Sequence, residues 1–326
     1  MNGQRNQTFD IMKGIGILLM MSCHYFGWNH PWLARTIDSF HMPMFFIVAG
    51  YFSKPNSTVS SAKRLIGKYC NRLIGPFAVT ELLLAMWAIL MVFTKDGNWN
   101  TVINKLLSIF WADPYGLQTQ FGQLHIGVTW FLISLLIGKV LLIPLSRLNN
   151  WSIPISMFLA YGAILLHRVF PYSIWCLSLG LTALPFIAIG WWVRNRELPL
   201  WVGIILIISW VLSILFSKMN MYGMDYGCYP LNVMGACGGT YFLYYISKLI
   251  ESHTKNIAHF LSILGIFSLT VVCAHYLEIE THMTNHICAL IPLAIPICLK
   301  WLLRYLVTFG IAYAFIKMPY LKKVFR

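Results

Sequence analysis

The sequence predicts an all-α protein, a polytopic membrane helix bundle of about ten transmembrane helices, and two observations carry that prediction. The chain is 58% hydrophobic and only 10% charged over 326 residues, where an ordinary soluble domain carries roughly 25% charged residues. Its apolar residues are gathered into runs broken by charged or Pro/Gly/Asn punctuation, on the scale of the roughly 20 residues that cross a bilayer. Such runs with short connections use up the chain, so residues 1–326 are read as one transmembrane domain with no separate soluble domain. A soluble enzyme, a DNA-binding protein and a disordered tail protein are excluded together.

The runs fall at about 11–28, 40–53, 73–94, 128–146, 151–167, 176–193, 199–217, 230–248, 260–278 and 288–316. The first lacks a small-residue cleavage site and has polar residues within it, so it is read as a retained span and not as a signal peptide. The second is short and must lean on its neighbours. Between the third and fourth, residues 95–127 hold Trp99, Trp111, Pro114 and Tyr115, and an amphipathic interfacial helix is expected there. The last run is too long for one straight span and contains Pro292 and Pro296; a half-helix followed by a full helix is expected.

The net charge of +14 comes from Lys and Arg scattered through short inter-helix segments, with no basic arm to hold nucleic acid. If the N-terminus is cytoplasmic, most basic residues fall on the inner side, Lys54, Lys63, Arg64, Lys68, Arg72, Lys322 and Lys323 among them. That bias places both termini inside. The cysteines at 23, 70, 176, 228, 237, 273, 288 and 298 lie mostly in apolar runs without CxxC spacing. They read as packing residues, with neither a disulfide framework nor a metal site.

Titratable side chains inside spans are costly and usually face the bundle interior, which makes them the place to look for chemistry. Lys13 and His24 are eleven residues apart, three turns plus about 20°, and about 16 Å apart along the axis. They therefore share a helix face, one near the inner interface and one toward the outer side. Either they grip and process a long anionic molecule, or Lys13 snorkels, paired with Asp10, and His24 is an interior hydrogen-bonded histidine. Lys68 and Arg72 share a face at i, i+4 if the third helix begins early; they suit phosphates, or anchor the inner side. Glu81 lies about 180° round from Arg72 and about 13 Å deeper, and Lys139 or Lys300 is its expected partner. Ser268 and His275 are seven apart, about 10 Å, too far for a catalytic dyad but suited to lining one cavity. His41 opens the second span beside Pro43, as an interface residue or a chemical one. His282 and His286 have metal-ligand spacing in a short loop, where a solvated role is expected.

Several segments taken together resemble the acyltransferase 3 family of multi-pass membrane acyltransferases. FDIMKGIGILLMMSCH is similar to the family's first helix, with a basic residue and a histidine separated by ten positions. FHMPMFFIVAGYF resembles the Pro-x-Phe-Phe and Ser/Ala-Gly-Tyr/Phe signature, KYCNRLIGPF the basic Arg-Leu-x-x-Pro entry, and TWFLISLL the Trp-Phe-Leu motif. GIFSLTVVCAH is similar to the Gly-x-x-Ser-Leu helix that closes in histidine. NMYGMDYGCYPLNVMGACGGTYFLYYISK resembles the stretch around the eighth helix of sugar-modifying members. The resemblance runs from about residue 8 to 316. It departs in having Lys13 where many members have Arg, Lys68 with Arg72 where a close Arg pair is expected, and Glu81 without a counterpart.

What the resemblance implies is a cell-membrane enzyme moving an acyl group, acetyl first, from cytoplasmic acyl-coenzyme A to a hydroxyl of a cell-surface or lipid-linked carbohydrate. His24 would be the catalytic base, and Lys13, Lys68 and Arg72 would hold the coenzyme's phosphates. His41, Trp130, Ser268 and His275, in matching motifs, would meet substrate. The partners are acyl-coenzyme A, a carbohydrate or glycolipid acceptor and membrane lipids, without nucleic acid, metal or a permanently bound cofactor. Ten spans with buried charges also describe a small-metabolite transporter or exporter, which would neither bind nor consume acyl-coenzyme A. A non-catalytic partner of a glycan-assembly complex would tolerate loss of Lys13, His24 and Arg72.

Overall fold

A computed structural model describes residues 6–26, 30–55, 59–94, 96–291 and 296–325. The chain is helical almost throughout: α1 (Gln7–Phe26), α2 (Pro31–Asp38), α3 (His41–Tyr51), α4 (Val59–Phe93), α5 (Trp99–Trp111), α6 (Trp130–Leu145), α7 (Ser152–Val169), α8 (Leu177–Val193), α9 (Leu200–Phe216), α10 (Tyr229–His253), α11 (Lys255–Ile266), α12 (Ser268–Thr281), α13 (Met283–Ala289), α14 (Ile297–Lys317) and α15 (Pro319–Val324). Two minimal antiparallel hairpins, β1 (Gln118–Thr119) with β2 (Gly122–Gln123) and β3 (Met219–Asn220) with β4 (Asp225–Tyr226), sit in connections.

Each predicted apolar run carries a helix, and this is a helical membrane protein. Among the described residues Ser61–Phe93, Gly127–Val169, Ile174–Val193 and Ile297–Lys317 are long and apolar enough to cross a bilayer, or five segments if Lys255–Ile266 with Ser268–Thr281 counts as one broken span. α3 has 11 residues, about 16 Å of rise against a hydrocarbon core of about 30 Å, so it cannot cross alone. The ninth run is not one helix: α11 ends at Ile266 and α12 begins at Ser268. The last run also differs from expectation. The short helix lies earlier, at α13, and α14 starts only after Pro296; Pro292 falls outside the described residues.

Local chemistry accounts for the other boundaries. α4 starts at Val59, so Lys68 and Arg72 are helical, and it continues through Pro76, whose carbonyl accepts from the Thr80 hydroxyl at 2.7 Å. The expected helix in 95–127 is α5, capped by Asn98, whose side chain accepts from the Thr101 N–H at 3.0 Å. It ends at Ala112, with φ 44°. The left-handed conformation there closes the helix, as C-terminal residues commonly do.

The chain divides into two compact units. The first comprises residues 1–65, 137–169 and 178–268. Its helices meet through glycines, the device by which helices approach closely where burial in lipid offers no hydrophobic driving force. A Cβ added at Gly14 would run into the carbonyl oxygen of Leu261, and one at Gly265 into that of Asp10, so α1 and α11 lie backbone against backbone. Gly50 and Gly190 do the same for α3 and α8, against the carbonyls of Ile187 and Ile47. Ile11, Ala258 and Leu261 pack in the α1–α11 seam.

The second unit comprises residues 66–136, 170–177 and 269–326. Asp113 organises its loops, accepting from the backbone N–H groups of Leu117 at 2.9 Å and Ser173 at 2.8 Å. Arg304 Nε lies 2.8 Å from the fully buried Glu278 carboxylate, which also accepts from Thr284 at 2.7 Å. Lys105 pairs with Glu280 at 2.7 Å. Gly127, at φ 44°, leaves room for the Tyr276 ring, which a side chain there would strike.

Candidate functional site

The C-terminal end of α1 holds the most chemically suggestive cluster of the first unit. His24 is exposed in the last turn of that helix. Its neighbour Cys23 places its thiol 3.6 Å from the Asp38 carboxylate, and the same carboxylate lies 3.7 Å from His41 Nδ1. His41 itself is buried and has Nδ1 2.8 Å from the carbonyl oxygen of Ile37. A carbonyl only accepts, so Nδ1 is the donor in that contact, and the neutral ring then carries its lone pair on Nε2. Burial lifts the Asp38 carboxyl above the usual carboxylate range, opposed by His41 and by the Cys23 thiol. The α2–α3 corner thus ties a second imidazole to the helix end that presents His24.

At the other end of α1, Lys13 forms an ion pair with Asp10 at 2.8 Å, the pairing that the snorkelling reading invoked. Ile17 and Met20, between Lys13 and His24 on the same face, are buried. The helix is continuous, so the shared face is real; its middle is packed, and the two polar ends are separate positions.

Lys68 and Arg72 both lie on the exposed face of α4. Glu81 is 0% exposed in the same helix, but neither Lys139 nor Lys300 is its hydrogen-bond partner. Its Oε1 accepts from the Thr129 hydroxyl at 2.6 Å, while Oε2 has no hydrogen-bond partner among the described residues. Trp130, next along the chain, is buried at the start of α6. His275 is fully buried in α12, and Ser268, the first residue of that helix, is half-buried.

Lys13, His24, His41 and Ser268 therefore belong to the first unit, and Lys68, Arg72, Trp130 and His275 to the second. Sequence reasoning missed Asp38 and Cys23. The i, i+3 spacing of Asp38 and His41 was visible, but their convergence on the end of α1 depends on how α2 folds back. The loop carrying His282 and His286 is helical from Met283, and His286 stands 6.2 Å from the Trp87 ring. Among the described residues no group of three or more His, Cys, Asp or Glu side chains is placed to hold a metal ion.

A helical membrane protein with ion-paired and imidazole side chains at opposite ends of its first helix is the class these observations define. The match to a family model is specific: an acyltransferase domain model covers residues 6–316. The chain belongs to the acyltransferase 3 family. It is also 26% identical over 230 residues to the nodulation protein NolL of Mesorhizobium japonicum, a match covering 65% of this chain and 54% of that protein. The chain thus spans about half the length of the relative it matches. No solved structure matches it.

Proposed function

We propose that the protein is a membrane O-acyltransferase, with acetyl as its first candidate group, that moves the acyl group from acyl-coenzyme A to a carbohydrate hydroxyl. The observation that carries the reading is the family match over residues 6–316. The continuous first helix, holding the Lys13–Asp10 pair at one end and exposed His24 at the other, supports it. In this reading Lys13, Lys68 and Arg72 hold the phosphates of the donor at the inner face. The acceptor oxygen attacks the thioester carbonyl, His24 takes the hydroxyl proton, the carbon–sulfur bond breaks, and the proton passes to the departing thiolate. An imidazole suits that exchange because its unperturbed pKa is near 6.5. His41, Trp130, Ser268 and His275 are proposed to meet substrate. Ten crossings with both termini cytoplasmic complete the proposal, the short α3 leaning on α8.

The test is transfer of labelled acetyl from acetyl-coenzyme A into cell-surface or lipid-linked glycan by membranes containing the protein. Label that appears in glycan only when the protein is present supports the reading. A protein that moves a metabolite without consuming the donor is a transporter and overturns it.

A further inference from the structure

Two cavities of the first unit share Trp192, Arg194 and Arg196 at the end of α8. One, of about 560 Å³, is lined besides by Lys54, Asn149, Asn150 and Asn195. The other, of about 710 Å³, is lined by apolar side chains, Phe9, Met12, Ile47 and Leu206 among them, and by Tyr51, Tyr241, Tyr244 and Tyr245, with exposed Lys248. A hydrophilic compartment thus shares its wall with an apolar one, which is the shape of an amphiphile's site.

Exposed Glu197 is the acidic residue among the two linings, and Lys54, Arg194, Arg196 and Lys248 outnumber it. Arg194, Arg196 and Lys248 form no ion pair among the described residues. The Arg196 guanidinium is fixed, 4.0 Å over the Trp192 ring and 2.6 Å from the Trp192 carbonyl oxygen. Arg194 spends one donor on the Ser53 carbonyl at 3.2 Å, out of the five a guanidinium carries. Basic pockets between membrane helices receive anionic lipid headgroups, and tyrosines collect at the headgroup level. The wall helix α9 turns Val202 and Leu206 to the cavity and exposes Trp201, Ile204, Ile205 and Ile208 on its other side, so the apolar compartment adjoins a surface suited to hydrocarbon.

We propose that these joined cavities bind an anionic phospholipid from the leaflet on the Arg194 side. Its phosphate sits on Arg194, Arg196 and Lys248, and its chains lie against Met12, Ile47 and Leu206. The occupant is distinct from the donor of the transfer reaction, although acyl-coenzyme A shares its phosphate-and-chain chemistry.

The full-length protein, purified in detergent and stripped of lipid, is offered phosphatidylglycerol, phosphatidylcholine, inorganic phosphate or acetyl-coenzyme A, with binding read by native mass spectrometry and thermal unfolding. Phosphatidylglycerol is expected to bind and to raise the unfolding temperature more than phosphatidylcholine does. Each of Arg194→Gln and Lys248→Gln should weaken that binding by about fivefold. Leu206→Trp, which fills the apolar compartment without changing charge, should also displace the lipid, and it keeps the proposal testable if the charge variants misfold. Equal retention of both lipids, full stabilisation by inorganic phosphate alone, or unchanged binding in all three variants overturns the proposal. Displacement of the lipid by acetyl-coenzyme A would assign the cavity to the donor and overturn it as well.

Discussion

His24 and His125 show how much a single imidazole's surroundings decide. His24 is exposed on the last turn of α1, and its substitution by Ala or Gln adds no charge to the helix. Normal protein levels are therefore expected, with acyl transfer lowered by about 10² to 10⁴, the usual contribution of a positioned base. A His24→Ala protein present at normal level that transfers at more than about a tenth of the wild-type rate rules out that role. His125, in the loop before α6, is half-buried and faces Glu280, Lys105 and Asp113. Burial lowers its pKa, helped by Lys105 and opposed by Glu280 and Asp113. The folded protein thus holds this proton less tightly than the unfolded chain does. The stability it contributes is fully present above the unfolded value of about 6.5 and is lost as pH falls through the folded value. His125→Gln should flatten the acid side of a thermal-stability profile. An acid limb identical to wild type would remove His125 from that account.

Helix elements are joined here by what is missing from their side chains. Gly265 lies in the segment GIFSL that carries one of the family motifs, and its role in the structure is contact of α11 with the Asp10 carbonyl on α1. Gly265→Val should force the two helices apart, at a cost of about 1 to 3 kcal/mol for overpacking, and move the Asp10–Lys13 pair with them. Gly310→Ala in α14 is the matching control, since a Cβ there meets nothing within 4 Å; it should hold or slightly raise the unfolding temperature. Equal unfolding temperatures for both variants would contradict the α1–α11 packing. On α4, Lys68 and Arg72 are exposed one turn apart. Lys68→Ala and Arg72→Ala are each expected to weaken apparent donor affinity by roughly tenfold or more, as for a lost charge-assisted contact, with a smaller effect on the maximal rate. Unchanged donor saturation in both returns the pair to an anchoring role.

For the molecule as a whole, helix length and apolarity bear on the number of crossings. Helices occupy all ten predicted runs, yet among the described residues four segments, or five with the broken pair, are long and apolar enough to cross by themselves, one of them, Gly127–Val169, taking in two of the runs. α3 illustrates why: eleven residues are too few for the bilayer, and its Gly50, with Gly190 of α8, brings it backbone to backbone with that helix. Reporter fusions at Arg326 and in the loop between α5 and α6 are expected to report opposite sides of the membrane, because basic residues favour the cytoplasm. Finding both on one side would overturn the ten-crossing arrangement.

Hydrophobic run length and sparse charge determined the helical membrane class, because in lipid only structures that satisfy their own backbone hydrogen bonds can span. Helical periodicity placed Lys13 with His24, and Lys68 with Arg72, since those relations lie within one helix and depend on nothing distant. The ordered set of short motifs made the family legible along the whole chain. Only the tertiary structure decided that Asp38 stands between Cys23 and His41, that Glu81 accepts from Thr129, and that Phe267 interrupts the ninth run. Those outcomes depend on which helices touch, and spacing along the sequence does not encode the partner across a helix interface. The packed middle of the Lys13–His24 face has the same origin: periodicity says which residues share a side, and the neighbouring helices decide whether that side is open.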